Sequence, residues 1–526
     1  MKTLPKTLPD DPAALREIIL SLQAENVLLQ DKSKRMEHEA QLLREKLNIL
    51  IAKRFGRSSE KSDPRQLGLF DEAEVTAAEE PEEDAEEIQV PAHSRKVKSK
   101  GRKPLPEWLP RVDIIHELPE SALVCGLDGH HLVEIGRETS EQLDIIPAKV
   151  QVLRHIQIKY GCPHCKQGVK TAPTPKRPIP KALATAALLA HVAVSKYADG
   201  LPLYRQGAIL TRAGIDVCRT TLANWMIQCG QLVQPLINLM RDKMLDYDIL
   251  QMDETTIQVL KEKDKVAASN SYMWVQRGGP PGSPVILFDY DPTRGAEVPK
   301  RLLAGYKGWL QTDGYAGYLG VGAQEDVILM GCFAHARRQF DEAIKALGKS
   351  KKGKIGKAGQ ALSLIRKLYA VEKDLREEEA TPERRYKVRQ ERSRPIIDEL
   401  KTWLEDNRAG VLPKSKLGEA MGYLTNQWSS LIRYLDDGRL EIDNNRAENA
   451  IRPFVIGRKN WLFSNSVRGA KASANLYSLI ETAKANGWEP FVYLTKVFEG
   501  LATAQTVDEF DLLLPWNLKS AAEPAG

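Results

Sequence analysis

The chain has 526 residues, more than one ordinary hydrophobic core organises, so several domains are expected. Its net charge is only +6, and its six cysteines, at 125, 162, 165, 218, 229 and 332, are too sparse for a secreted disulfide framework. The N-terminus lacks an apolar signal core, and the longest apolar stretch, 182–194, falls short of the about 20 residues that span a bilayer. A cytoplasmic protein with reduced thiols and no membrane partner is expected.

Within residues 13–53, Leu15, Leu22, Leu29, Met36, Leu43 and Leu50 recur at seven-residue spacing, with Ile19, Asn26, Ser33, Ala40 and Leu47 on the complementary position. This is a leucine-zipper seam, and it predicts a coiled-coil homodimer or higher oligomer in which Asn26 fixes the register. A single helix folded against the body is the alternative. Residues 54–109 read as a disordered linker, acidic from Asp71 to Glu87 and basic from Ser94 to Lys103. Near its end, the Gly101-Arg102-Lys103-Pro104 centre of the stretch Lys98-Ser-Lys-Gly-Arg-Lys-Pro-Leu-Pro either is similar to a minor-groove AT-hook or is ordinary charged linker.

Residues 110–172 hold Cys125 and the knuckle Cys162-Pro-His-Cys165, whose two-residue spacing suits tetrahedral zinc. Cys125, His130 (or His131), Cys162 and Cys165 are the candidate zinc ligands; a metal-free β-ribbon with buried thiols is the other reading. Over 180–245 the segment from Leu203 to Met226 reads as helix, Gly-containing turn, helix, which is the helix-turn-helix pattern. Ile209, Leu210, Ile215, Val217, Leu222 and Trp225 would form its core, leaving Arg219, Thr220, Thr221 and Asn224 for DNA. A plain helical hairpin has the same periodicity.

From 246 to 347 the apolar runs predict strands at Ile249–Val259, Ser271–Arg277 and Pro284–Tyr290, a helix at Gly295–Leu303, then strands at Gly308–Thr312 and Val327–Met330. Residues 348–436, with the basic run Lys345–Lys357 at their start, read as an all-helical insertion. Residues 437–487 return to the core, and 488–526 form a helical tail. Asp253 interrupts the first strand, Asp313 ends the fourth, and Glu448 sits in a helix-like segment after Asp443 and Asn444. Three such carboxylates, if brought together, suit magnesium and phosphodiester chemistry; Asp253 alone could instead accept backbone or Arg hydrogen bonds. Cys332 and His335, followed by Arg337 and Arg338, could hold a metal but lack a second pair. Contact with DNA phosphate, or packing, is the expectation for them. Arg446, Arg452, Arg458 and Lys459 could extend a phosphate track, and Trp461 either stacks on DNA or is buried.

The blocks Gln-Met-Asp-Glu-Thr, Thr-Asp-Gly-Tyr-Ala-Gly-Tyr, Gly-Cys-Phe-Ala-His-Ala-Arg-Arg and Ile-Asp-Asn-Asn-Arg-Ala-Glu-Asn-Ala-Ile-Arg-Pro occur in this order. Together they closely resemble the large transposase of the IS66 family of bacterial insertion sequences, and the likeness runs from Arg54 to the tail near Trp516. The resemblance implies a multidomain α/β protein with an RNase H-like DDE core, an all-helical insertion, a zinc-finger-like β region and DNA-binding helices. Its triad falls on Asp253, Asp313 and Glu448, which would hold two Mg2+ ions, or Mn2+, with Asp253 bridging them. Binding of terminal inverted repeats, strand cleavage and strand transfer follow from it, as do double-stranded DNA and small accessory proteins as partners. A site-specific nuclease without strand transfer and a catalytically silent DNA-binding regulator are the competing readings.

Overall fold

The computed structural model describes residues 11–55, 150–161, 169–347 and 356–518. It divides into two units, 1–80 with 157–526, and 81–156. The described part of the smaller unit, 150–156, is exposed and without helix or strand. The expected linker beyond residue 55 and the candidate zinc ligands Cys125, His130, His131, Cys162 and Cys165 lie outside the described residues.

Helix α1 runs unbroken over Pro12–Phe55. Its seam residues Leu22, Leu29, Met36, Leu43, Leu47 and Leu50 are all exposed. The helix does meet the body, but through another face near its end. Glu45 accepts a bond from Lys416 N at 3.1 Å, and Asn48 donates to Ala346 O at 2.9 Å. Next, β1 (Lys159–Gly161) and β2 (Val169–Thr171) pair as an antiparallel ribbon.

Four helices follow: α2 (Ala186–Tyr197), α3 (Leu203–Arg212), α4 (Arg219–Leu232) and α5 (Gln234–Leu245). Between α3 and α4 the chain turns through Gly214 at φ +80°, a left-handed conformation that favours glycine. Leu210, Val217, Leu222 and Trp225 are buried as expected, and Ile215 is half-buried. Ile209 is not: it is exposed, because one residue before Leu210 is about 100° around the helix. The inner place belongs to Gln206, whose amide donates to Val192 O and Leu201 O.

The sheet has the order β5-β4-β3-β6-β7, formed by β3 (Ile249–Lys261), β4 (Asn270–Gly278), β5 (Val285–Asp291), β6 (Gly308–Gln311) and β7 (Val327–Met330). β4 lies antiparallel to both β3 and β5, while β6 runs parallel to β3 and β7 parallel to β6. The short helix α6 (Glu297–Leu302) connects β5 to β6. The first and fourth strands are therefore neighbours.

After β7 the chain enters α7 (Phe333–Leu347) and the helical insertion, whose main helices are α8 (Lys357–Glu377), α9 (Arg394–Arg408) and α10 (Lys416–Asn426). The insertion has its own core, built on Ile365, Leu368, Tyr369, Leu400 and Tyr434. It returns through α11 (Asn445–Trp461) to β8 (Ser464–Ser466), which pairs parallel with the far end of β3. Helix α12 (Val467–Ala485) then covers β5, and α13 (Pro490–Leu501) packs on α2. Ser478 and Thr482 of α12 bond the main chain of Phe288 and Ile286, satisfying backbone groups that an edge strand leaves open. α12 also crosses α4 closely: a Cβ on Gly230 would stand 2.6 Å from Ala472 Cα, so that position requires glycine. Helices α2–α5, the sheet and α12–α13 share one continuous hydrophobic core.

Arg389, fully buried in a turn of π-helix between α8 and α9, ties the insertion to the returning chain. Its guanidinium pairs with both oxygens of Glu372 at 2.8 Å and donates to the carbonyls of Tyr434, Asp437 and Leu440. All of its polar groups are engaged, which is what a buried charge requires. Arg389→Met strands Glu372 in the interior and should cost about 3–5 kcal/mol of stability in urea denaturation. A loss below about 1 kcal/mol would show that the pair anchors nothing.

Candidate metal and nucleic-acid site

Asp253 and Asp313 are placed by the register of two parallel strands. Gln251 on β3 stands opposite Gln311 on β6, and each aspartate lies two residues beyond that pair, so both leave the same edge of the sheet. Asp253 Oδ1 accepts Glu254 N at 2.8 Å, and Asp313 Oδ1 accepts Tyr315 N at 2.8 Å in a turn. Gly314 supplies the positive φ, +87°, that this turn needs.

Glu448 arrives from the first turn of α11 and is almost wholly buried. The segment before it is clamped to the sheet by a lattice of buried amides. Gln251 donates to Gln311 Oε1 at 2.8 Å and to Asp443 O at 3.3 Å; Gln311 donates to Gly331 O and Glu441 O. Asn444 donates from its side chain to Met252 O at 3.1 Å and from its main chain to Cys332 Sγ at 3.2 Å. Asp443 accepts from Tyr369 of the insertion and from Asn445. The Asp-Asn-Asn run that precedes Glu448 is thus a positioning device.

The three acids meet electrostatically. Burial, the neighbouring Glu254, and then the charges of Glu448 and Asp313 hold the Asp253 carboxyl well above its ordinary range. Glu448 Oε1 faces His335 Nδ1 at 3.5 Å without a hydrogen bond, and Oε2 lies 3.3 Å from Arg338 Nη2. Burial keeps the His335 imidazole below its ordinary value, although Glu448 opposes this. The acid trio does not close to mutual contact. Among the described residues the three-ligand group within 4.8 Å of one another is Cys332, His335 and Glu448.

Sequence reasoning missed Glu254. Its carboxylate, buried beside Asp253, is taken by Arg294 and by Tyr318 OH at 2.6 Å, and Arg294 lies over the Tyr315 ring at 3.8 Å. These contacts fasten the loop after Asp313 onto β3, so Glu254 serves the geometry. The Tyr-Ala-Gly-Tyr that follows Asp313 was the available signal.

The candidate DNA contacts separate by exposure. Arg219, Thr220 and Asn224 are exposed around the start of α4, with Thr221 half-buried. Arg338, Arg446 and Lys459 are exposed, Arg446 pairing with Glu441 at 2.7 Å; Arg337 and Arg452 are half-buried. Arg458 is engaged with Thr255 and Thr256 of β3. Trp461 is half-buried and packs edge-on to Phe454 at 5.6 Å with Lys196 over its ring.

Residues 181–472 match the family model described as Transposase IS66 family, and 478–516 match IS66 C-terminal element. Residues 123–166 match the zinc-finger binding domain of transposase IS66, and 42–114 match Transposase C of IS166 homeodomain. Two uncharacterized proteins of Sinorhizobium fredii (strain NBRC 101917 / NGR234) are similar over their whole length. y4jD is 33% identical, covering 98% of this chain and 97% of its own, and y4qI is 32% identical, covering 98% of each. No solved structure matches. Among the described residues no helix is long and apolar enough to cross a membrane.

The raised carboxyl of Asp253 has a consequence for stability. The unfolded chain releases this proton near the ordinary 3.8, the folded chain only at higher pH, so wild-type stability falls as pH rises through the interval between them. In chelator-treated protein, Asp253→Asn should raise the thermal midpoint at pH 7, with the gain shrinking as pH is lowered towards 4. Calorimetry showing Asp253→Asn less stable than wild type at pH 7 would contradict this.

Proposed function

Because the chain belongs to the Transposase IS66 family, we propose that it binds the terminal inverted repeats of an IS66-like element, cuts DNA strands there and joins the freed ends to target DNA. The observation that carries this reading is the convergence of Asp253, Asp313 and Glu448 from β3, the end of β6 and α11. The sheet order supports an RNase H-like core: β3 is central, with antiparallel β4 on one side and parallel β6 on the other.

The donor set fits magnesium. Three carboxylates converge, one of them buried with an oxygen lacking a hydrogen-bond partner, and another resists ionising beside its neighbours. A hard divalent cation answers all of these at once. Two Mg2+ ions, or Mn2+ in their place, supply the positive charge that activates an attacking oxygen and stabilises a leaving one. Asp253, Asp313 and Glu448 would hold them. The attacking group is water in strand cleavage and a freed 3′-hydroxyl in joining, so positioning and charge neutralisation dominate what the protein contributes. Arg338, bonded to Glu448 Oε2, orients that carboxylate. Arg337, Arg446, Arg452, Arg458 and Lys459 line the approach for phosphate, while Arg219, Thr220, Thr221 and Asn224 on α4 contact the terminal repeat. The exposed seam of α1 joins two chains, which suits the pairing of two DNA ends.

Incubating the full chain with labelled end DNA and magnesium should give nicked and joined products. Asp253→Ala, Asp313→Ala and Glu448→Ala should each lower both by about 10³-fold or more, the loss of several kcal/mol of charge stabilisation, while binding persists. Arg219→Ala should instead weaken binding and reduce its salt slope by about 1. Cleavage surviving in Asp253→Ala would refute the site; cutting without joining would make the protein a nuclease, and binding without cutting a regulator. The double substitution Leu29→Lys, Met36→Lys should yield monomers in ultracentrifugation, and an unchanged mass would refute the zipper.

A further inference from the structure

We propose that Cys332, His335 and Glu448 form a second metal site, one that takes a zinc-class ion and competes with magnesium for Glu448. The competition rests on the function proposed above; the site itself rests on geometry. Cys332 immediately precedes α7 and His335 lies in its first turn, so the three-residue spacing sets both on one side of the helix end. Glu448 reaches them from α11. One ligand atom from each residue lies within 4.8 Å of the other two.

Two of the three ligand atoms lack a partner. Glu448 Oε1 and His335 Nδ1 are both buried, both without a hydrogen-bond partner, and 3.5 Å apart. Two light-atom ligands at about 2.0–2.1 Å on a tetrahedral zinc stand roughly 3.3–3.5 Å from each other. Leaving two polar atoms unpaired in the interior is costly unless something bridges them. Arg338 occupies only the other oxygen, Oε2, at 3.3 Å, so Oε1 is left for a metal. Cys332 Sγ already accepts the main-chain N–H of Asn444 at 3.2 Å, a bond that strengthens when the sulfur is a thiolate.

The donor chemistry selects the ion. Sulfur, imidazole nitrogen and a single carboxylate favour zinc over magnesium, which takes oxygen ligands. On binding, a metal–sulfur bond replaces the Cys332 S–H bond, and the displaced proton leaves to solvent. The set provides three protein ligands, leaving a fourth position for water or for a DNA oxygen. Because Glu448 belongs to both donor sets, a zinc-class ion here takes one carboxylate from the acid trio.

Cobalt(II) reports the site directly through its thiolate charge-transfer absorption in the near ultraviolet. The full chain carrying Cys125→Ser, Cys162→Ser and Cys165→Ser, which silences the other candidate ligands, should bind one equivalent with such a band. Adding Cys332→Ser should abolish it, and His335→Gln or Glu448→Gln should weaken cobalt binding roughly tenfold or more, with circular dichroism confirming folding. In the unsubstituted chain, zinc should slow iodoacetamide labelling of Cys332 in mild urea relative to the buried Cys229, mapped by mass spectrometry. A band that survives Cys332→Ser, the absence of any band, or equal labelling of the two cysteines with and without zinc would overturn the site. These readouts use no DNA, so they can fail while magnesium-dependent cleavage stands, and the reverse.

Discussion

The placement of Glu448 depends on a buried lattice of amides. Gln251 and Gln311, paired across β3 and β6, spend their side chains on each other and on the main chain of Gly331, Glu441 and Asp443, while Asn444 donates to the carbonyl of Met252, beside Gln251 on β3. Each of these groups would cost about 1–3 kcal/mol if left buried and unpaired. The bonds formed fix the register of the returning chain, although Gln251 Oε1 and Asn444 Oδ1 stay without a hydrogen-bond partner. A glutamate more than a hundred residues distant in sequence from Asp313 is delivered to the same edge of the sheet without any direct bond between the acids.

Rigidity around the site contrasts with conflict inside it. Glu254, Arg294, Tyr315 and Tyr318 lock the loop beyond Asp313, and Arg389 with Glu372 pins the insertion to the segment that becomes α11. Within this frame, burial and the nearby charges of Glu254, Glu448 and Asp313 oppose the ionisation of Asp253. Like charges in a half-buried cluster destabilise the fold, and natural proteins tolerate that where a bound cation reverses the sign. The surrounding hydrogen bonds keep the acids from relaxing apart.

Much of this was legible in the sequence. Strands β3 to β7 announced themselves through β-branched and aromatic runs, while their order in the sheet was implied only by the resemblance to an RNase H-like core. The turn at Gly214 and the zipper spacing of α1 were equally plain. What escaped was polar burial set by tertiary contact. Gln206 holds the inner place that apolar periodicity had assigned to Ile209, and the pairing of Arg389 with Glu372 has no local signature. The Cys-x-x-His pair looked like half a metal site because its third ligand, Glu448, is remote in sequence. Periodicity reports faces of single elements, and it is silent on which faces meet.

The most direct check of the converging acids is anomalous diffraction from crystals of the full chain grown with its end DNA and manganese. Manganese peaks bonded to carboxylate oxygens of Asp253, Asp313 and Glu448 are expected, with Asp253 common to both. Peaks bound at other acids, or these three side chains too far apart to share ions once DNA is in place, would contradict the reading.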